Sequence, residues 1–123
     1  MKYTKFEDIP VWQQARKFIK LIYSACNKAS FKFDYSLMDQ IRRASVSVLL
    51  NISEGFERKT NKDFARFINQ SKASASEVRC GLYIALDLDY ISNEQFDKII
   101  NEIKSIGNQL AKFEKYLLDT HKK

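Results

Sequence analysis

Histidine occurs once in these 123 residues, as His121 near the C-terminal end. Imidazole base catalysis and histidine-based metal sites therefore have almost no material to work with. Proline also occurs once and glycine three times, too few turn residues for a β-rich or loop-rich fold. There is no P-loop, no Gly-rich phosphate cradle and no GxSxG elbow. The two cysteines, Cys26 and Cys80, form neither a CxxC pair nor a metal-ligand spacing, and both are expected to be reduced, mostly buried thiols. No apolar run approaches the about 20 residues that a membrane span needs. The opening Met1–Asp8 lacks the apolar core of a signal peptide, so a cytoplasmic protein without a membrane segment is expected.

The carboxylates offer little chemistry. Asp87 and Asp89 would point about 200° apart around a helix, which leaves them as helix-end charges. Glu54 and Glu77 could both face inward from neighbouring helices, the way di-metal bundles begin. The Glu-x-x-His pairs those sites require are missing. No catalytic residue, no metal ligand, no cofactor and no small-molecule substrate are expected.

What the chain does have is helical periodicity. Hydrophobic residues make up 45% and charged residues 29%, ordinary for a globular domain. At this length a single domain buries roughly two-thirds of its unfolded surface. Four amphipathic segments stand out, over about 10–29, 36–56, 61–88 and 93–119. Pro10 suits an opening turn, and Asp34 or Ser36 is a plausible N-cap for the second helix. The second helix should close near Gly55, which would supply a left-handed cap. Thr60 followed by Asp63 marks the start of the third helix, and Ser92 with Gln95 forms a capping box for the fourth. Phe31 and Phe33 in the first linker could lie over the end of the bundle. Ser71, Ala73, Ser74, Ala75 and Ser76 make the centre of the third helix small, which points to a close helix crossing. Short connections force neighbours to run antiparallel, so the expected fold class is all-α, an up-down-up-down four-helix bundle.

Two features point to function. The net charge is +6, and residues 1–33 hold seven Lys or Arg against two acids. On the first helix Arg16, Lys17, Lys20 and Lys28 fall on the face opposite the apolar side formed by Val11, Trp12, Phe18, Ile22 and Tyr23. No acid interrupts that helical row, and Lys2 and Lys5 lie ahead of it in support. Such a stripe is either a solvated face or a phosphate-binding one. The second helix carries a polar row, Gln40, Arg43, Ser47, Asn51 and Glu54, between its apolar arc and an isolated pair, Val46 and Leu50. The row is nearly charge-neutral and borders Val46 and Leu50. That favours a hydrogen-bonded network fixing helix register or the subunit interface over an RNA- or protein-binding surface. Val46 and Leu50 are expected to form part of a contact between subunits.

Gln40-x-x-Arg43-Ala44-x-x-Ser47, followed by Asn51-Ile52-x-Glu54-Gly55, resembles the signature of the bacterial four-helix-bundle family, also called the 23S ribosomal RNA intervening-sequence protein family. It is similar to the accessory variability proteins of diversity-generating retroelements. Val11 to Ala15, Arg58 to Phe67, Ser74-x-x-Glu77 and Leu86 to Ile91 resemble further landmarks, so the likeness covers nearly the whole chain. Two departures concern loops and packing: the Pro and Gly usual before the second helix are absent from residues 30–37, and Ala73 replaces a small Gly. The resemblance implies a homo-oligomeric ring, a pentamer in known members, and no enzymatic activity. It also implies a link to RNA, through a gene lying within ribosomal RNA genes or through partnership with a reverse transcriptase. The resulting expectation is a non-enzymatic basic bundle that binds structured RNA or a ribonucleoprotein through its first helix. The alternative is a protein-interaction scaffold with no nucleic-acid role.

Overall fold

The computed structural model describes residues 2–27 and 30–121, the side chain of His121 excepted. Four helices, α1 (Pro10–Cys26), α2 (Tyr35–Phe56), α3 (Asn61–Asp87) and α4 (Asn93–His121), account for most of it, with no strand among the described residues. Single 3-10 turns precede α1 (Phe6–Asp8) and α2 (Phe31–Phe33). Each helix packs on two others in the cyclic order α1, α2, α3, α4. Trp12 at the start of α1 reaches Ser53 near the end of α2, and Lys72 in α3 meets Glu114 late in α4. Neighbours therefore run antiparallel.

Local chemistry explains where the helices begin. Asp34 Oδ1 accepts the Leu37 amide at 3.1 Å at the head of α2. Thr60 Oγ1 accepts the Asp63 amide at the head of α3. At the head of α4 Ser92 Oγ accepts the Gln95 amide while the Ser92 amide donates to Gln95 Oε1, each at 3.1 Å, which is a reciprocal capping box. Helix α3 is closed by Asp89 in the left-handed region (φ 61°). The Tyr90 amide donates to Ala85 O and the Asp89 amide to Leu86 O; this pair of bonds makes a Schellman motif in which an aspartate replaces the usual glycine.

The core is one continuous apolar cluster. Phe96, Ile99, Ile100, Ile103, Ile106, Leu110 and Leu117 of α4 all lie inside it, facing Phe18, Ile22, Ile41, Val48, Ile52, Ile68, Val78 and Leu82. Both ends of the bundle are sealed by aromatics. At one end Phe31 stacks on Tyr90, whose hydroxyl donates to Asp34 Oδ2 at 2.9 Å. That bond to a carboxylate raises the phenol pKa. At the other end Phe6, Trp12, Phe56, Phe64 and Phe113 meet edge to face or tilted. The N-terminal arm runs there too, with Tyr3 beside Gln109 and Phe113 of α4.

Several expectations are corrected by this packing. Helix α1 closes at Cys26, short of residue 29; residues 28 and 29 lie outside the described residues. Gly55 is no left-handed cap: α2 runs through it, and among the described residues no glycine has positive φ. A Cβ there would come within 2.7 Å of Phe67 Cβ and 2.8 Å of Phe64 Cδ1, so glycine is needed for the approach of α3. Phe31 covers the bundle end alone, since Phe33 is 74% exposed. Cys26 is buried but Cys80 is exposed. Burial pushes the Cys26 thiol up to about 11, against the opposing pull of Arg42. In the small centre of α3, Ser71, Ser74 and Ala75 face inward whereas Ala73 and Ser76 face out.

Candidate nucleic-acid and subunit interfaces

Helix α1 contains no acidic residue along its 17 positions. Its inward side is fixed by Val11, Ala15, Phe18, Ile22, Ala25 and Cys26, and the 3.6-residue period then turns Arg16, Lys17 and Lys20 outward. All three are exposed. Among the described residues none of them takes part in an ion pair. The Arg16 guanidinium lies 5.8 Å from the Trp12 ring, and the Trp12 indole N–H donates to Ser53 Oγ at 2.8 Å. The base of the stripe is thereby pinned to α2. Lys2 and Lys5 are exposed on the arm, with Lys2 over Tyr3. Tyr3 shares a small cleft with Ile9, Val11 and Lys112, so the arm lies beside α4 as well as α1. Lys112 was not singled out from the sequence, since only the docking of the arm places it beside Tyr3. Lys28 lies outside the described residues.

The polar row of α2 divides in two. Ser47 Oγ lies 2.9 Å from Ser74 Oγ of α3, and Asn51 Nδ2 donates to Ser47 O and Oγ at 2.9 and 3.1 Å. One turn deeper, Ser71 Oγ donates to Val48 O at 2.7 Å. These bonds link α2 to α3 where small residues let the backbones come close. Gln40, Arg43 and Glu54 are exposed instead; Arg43 pairs with Asp39 and Glu54 with Arg58, both at 3.4 Å along the helix. Glu77 is exposed as well, so neither it nor Glu54 points into the core as the di-metal arrangement would need. Among the described residues no cluster of three His, Cys, Asp or Glu is arranged to hold a metal.

Beside the row, Leu50 is 57% exposed and Val46 half-buried. Together with Tyr23, Arg43, Ser47, Asn51 and Glu54 they line a shallow hollow between α1 and α2. Tyr23, expected on the apolar side of α1, is 39% exposed, and its ring carries the Arg42 guanidinium at 4.2 Å. Periodicity could not assign it to this surface because Tyr23 stands at the border of the inward arc. A second pair of guanidinium groups, from Arg58 and Arg66, flanks the Phe67 ring at 4.4 and 4.8 Å. Both of these arginines are partly neutralised by Asp63.

Comparisons with known proteins agree with this architecture. A family model described as 23S rRNA-intervening sequence protein matches residues 7–112. A solved structure of a protein with unknown function, from the S23 ribosomal protein family of Bacteroides thetaiotaomicron VPI-5482, is similar over 85% of this chain and 98% of that one. The TM-score is 0.79 and the identity 23%, a likeness of fold. Among curated proteins no relative matches. No described helix is long and apolar enough to cross a membrane.

Proposed function

This chain belongs to the 23S rRNA-intervening sequence protein family, and from that premise we propose that it is a non-enzymatic, homo-oligomeric bundle that binds structured RNA through the basic face of α1. One observation carries the reading: Arg16, Lys17 and Lys20 stand exposed on a helix without a single acid. An ordinary solvated face interleaves both signs, which gains i, i+4 attraction; a face of one sign forgoes that and concentrates positive potential instead. Phosphate contacts of this kind fix affinity and leave sequence largely unread. The aromatics nearest the stripe support a backbone reading over base stacking, because Trp12 is half-buried and its N–H is already committed to Ser53.

The assembly we propose is a closed ring, a pentamer by the family resemblance, with Tyr23, Val46 and Leu50 in the contact between copies. Repetition of the α1 face around such a ring would turn weak contacts into avidity. Either RNA alone or a reverse transcriptase with its RNA would suit a surface of this chemistry.

Fluorescence anisotropy with a labelled RNA hairpin tests the proposal, comparing the native chain with Arg16→Glu/Lys17→Glu/Lys20→Glu. Three phosphate contacts per chain give an affinity that falls about 20- to 40-fold between about 50 and about 200 mM salt. The triple variant should lose binding at low salt and flatten the salt slope. Equal affinity of both proteins, or no salt dependence, would leave the protein-scaffold reading in its place.

A further inference from the structure

The groove between α3 and α4 holds a second cationic site. Lys72, Ser76 and Arg79 follow one another on α3 at spacings of four and three residues, so they share one face. Lys104 and Asn108 do the same on α4, and Gly107 sits between them. All six line one hollow of about 340 Å³ with Ala75 and Ile103 at its floor. The hollow exists because the side chains that would fill it are small or missing: a Cβ added to Gly107 would meet no heavy atom within 4 Å. Three of the lining residues are cations and none is a carboxylate. Lys72 Nζ is held 2.8 Å from Glu114 Oε1, while Arg79 and Lys104 are exposed and join no ion pair among the described residues.

We propose that this cleft binds a phosphate group, with Arg79 and Lys104 as its principal partners and Ser76 and Asn108 as neutral donors. A guanidinium presents paired N–H groups that match two phosphate oxygens at once, and an ammonium adds a compact charge. A carboxylate, with one charge and two oxygens, would leave part of this donor set unused. The packing order sets α1 diagonal to α3, so the cleft is separate from the α1 stripe and its existence does not depend on that reading. The phosphate could belong to a free polyphosphate or to a nucleic-acid backbone, and the hollow is open enough for either.

Two variants test the site. Arg79→Gln/Lys104→Gln removes the charge, whereas Gly107→Leu keeps every charge and fills the hollow. Leucine is the better helix former and its Cβ would meet no heavy atom within 4 Å, and an unchanged far-UV spectrum checks that the fold is kept. Each is titrated calorimetrically with inorganic tripolyphosphate and by anisotropy with an RNA hairpin. Tripolyphosphate binding that weakens about tenfold or more in both variants assigns the site to a free phosphate compound. A similar loss seen only with the hairpin assigns it to a nucleic-acid backbone. Native affinity in both variants for both probes overturns the proposal, and so does a loss in the charge variant that Gly107→Leu does not reproduce. The α1 triple reversal separates the two readings: if it alone abolishes hairpin binding, the stripe stands and the cleft stands only if tripolyphosphate binding is lost in both of its own variants.

Discussion

Replacing Gly55, Gly81 and Gly107 one at a time by alanine separates two effects that a helical glycine combines. All three lie within helices, so each substitution gains about 1 kcal/mol of helix propensity. At Gly107 nothing opposes the gain, because no heavy atom lies within 4 Å of the new Cβ. That variant should be stabilised by the full amount, raising Tm by about 3–5 °C for a domain of this size. At Gly55 the added carbon would stand 2.7 Å from Phe67 Cβ, and at Gly81 it would stand 2.6 Å from Ile41 Cγ1. Neither neighbour is the loose end of a side chain, so relief requires α2 and α3 to separate. Overpacking of this kind costs about 1–3 kcal/mol, enough to cancel the propensity gain and in most of that range to reverse it. Urea unfolding at matched protein concentration gives the comparison, with m-values showing whether the native state has loosened. If all three alanine variants prove equally stabilised, close approach is not what the two buried glycines provide, and the α2–α3 crossing described above is wrong.

Three further outcomes are expected. Leu50→Asp should lower the sedimentation coefficient to that of a single chain while far-UV circular dichroism stays unchanged; an unaltered assembly would remove Val46 and Leu50 from the subunit contact. A thiol reagent should modify Cys80 at once and Cys26 only after unfolding, because Cys26 is buried. Since its thiol is raised from 9.0 to about 11, its contribution to stability is intact below pH of about 9. It is lost as pH rises toward 11, where the unfolded chain ionises first, and Cys26→Ala should remove that part of the alkaline slope. Asp34→Ala deletes both the α2 cap and the acceptor for Tyr90. A loss of about 1–2 kcal/mol in chemical denaturation is expected, and a loss no greater than that of Tyr90→Phe would show that the cap contributes nothing.

The all-α bundle was legible because its signals are local. Thr60 with Asp63, Ser92 with Gln95, and the unbroken stripe from Phe96 to Leu117 each declare a helix within one or two turns of chain. What escaped the sequence depends on a partner helix. A glycine at the end of an apolar pattern reads as a cap, yet Gly55 answers to Phe64 and Phe67 on another element. Phe31 and Phe33 look alike in sequence, and only the stacking surface of Tyr90 selects one of them. Cys80, expected to be mostly buried, is exposed, because the covered face of α3 is set by the helices packed against it. For the candidate sites, the α1 stripe was visible as a row without acids. The α3–α4 cleft was not, since Arg79 and Lys104 come from different helices and the hollow between them is defined by side chains that are small.

The N-terminal arm and the late turns of α4 occupy the same end of the bundle, with Tyr3 and Phe113 lining one cleft. In a ring whose rotation axis runs along the bundle, every copy then sends these two ends toward the same rim. A tag, fluorophore or fused domain attached at either terminus would decorate one side of the particle and leave the opposite side, closed by Phe31 and Tyr90, bare. Such a one-sided object could be immobilised in a known orientation, and a peptide joining the two termini would give a permuted chain with its new opening at Leu88–Ser92 on the far side.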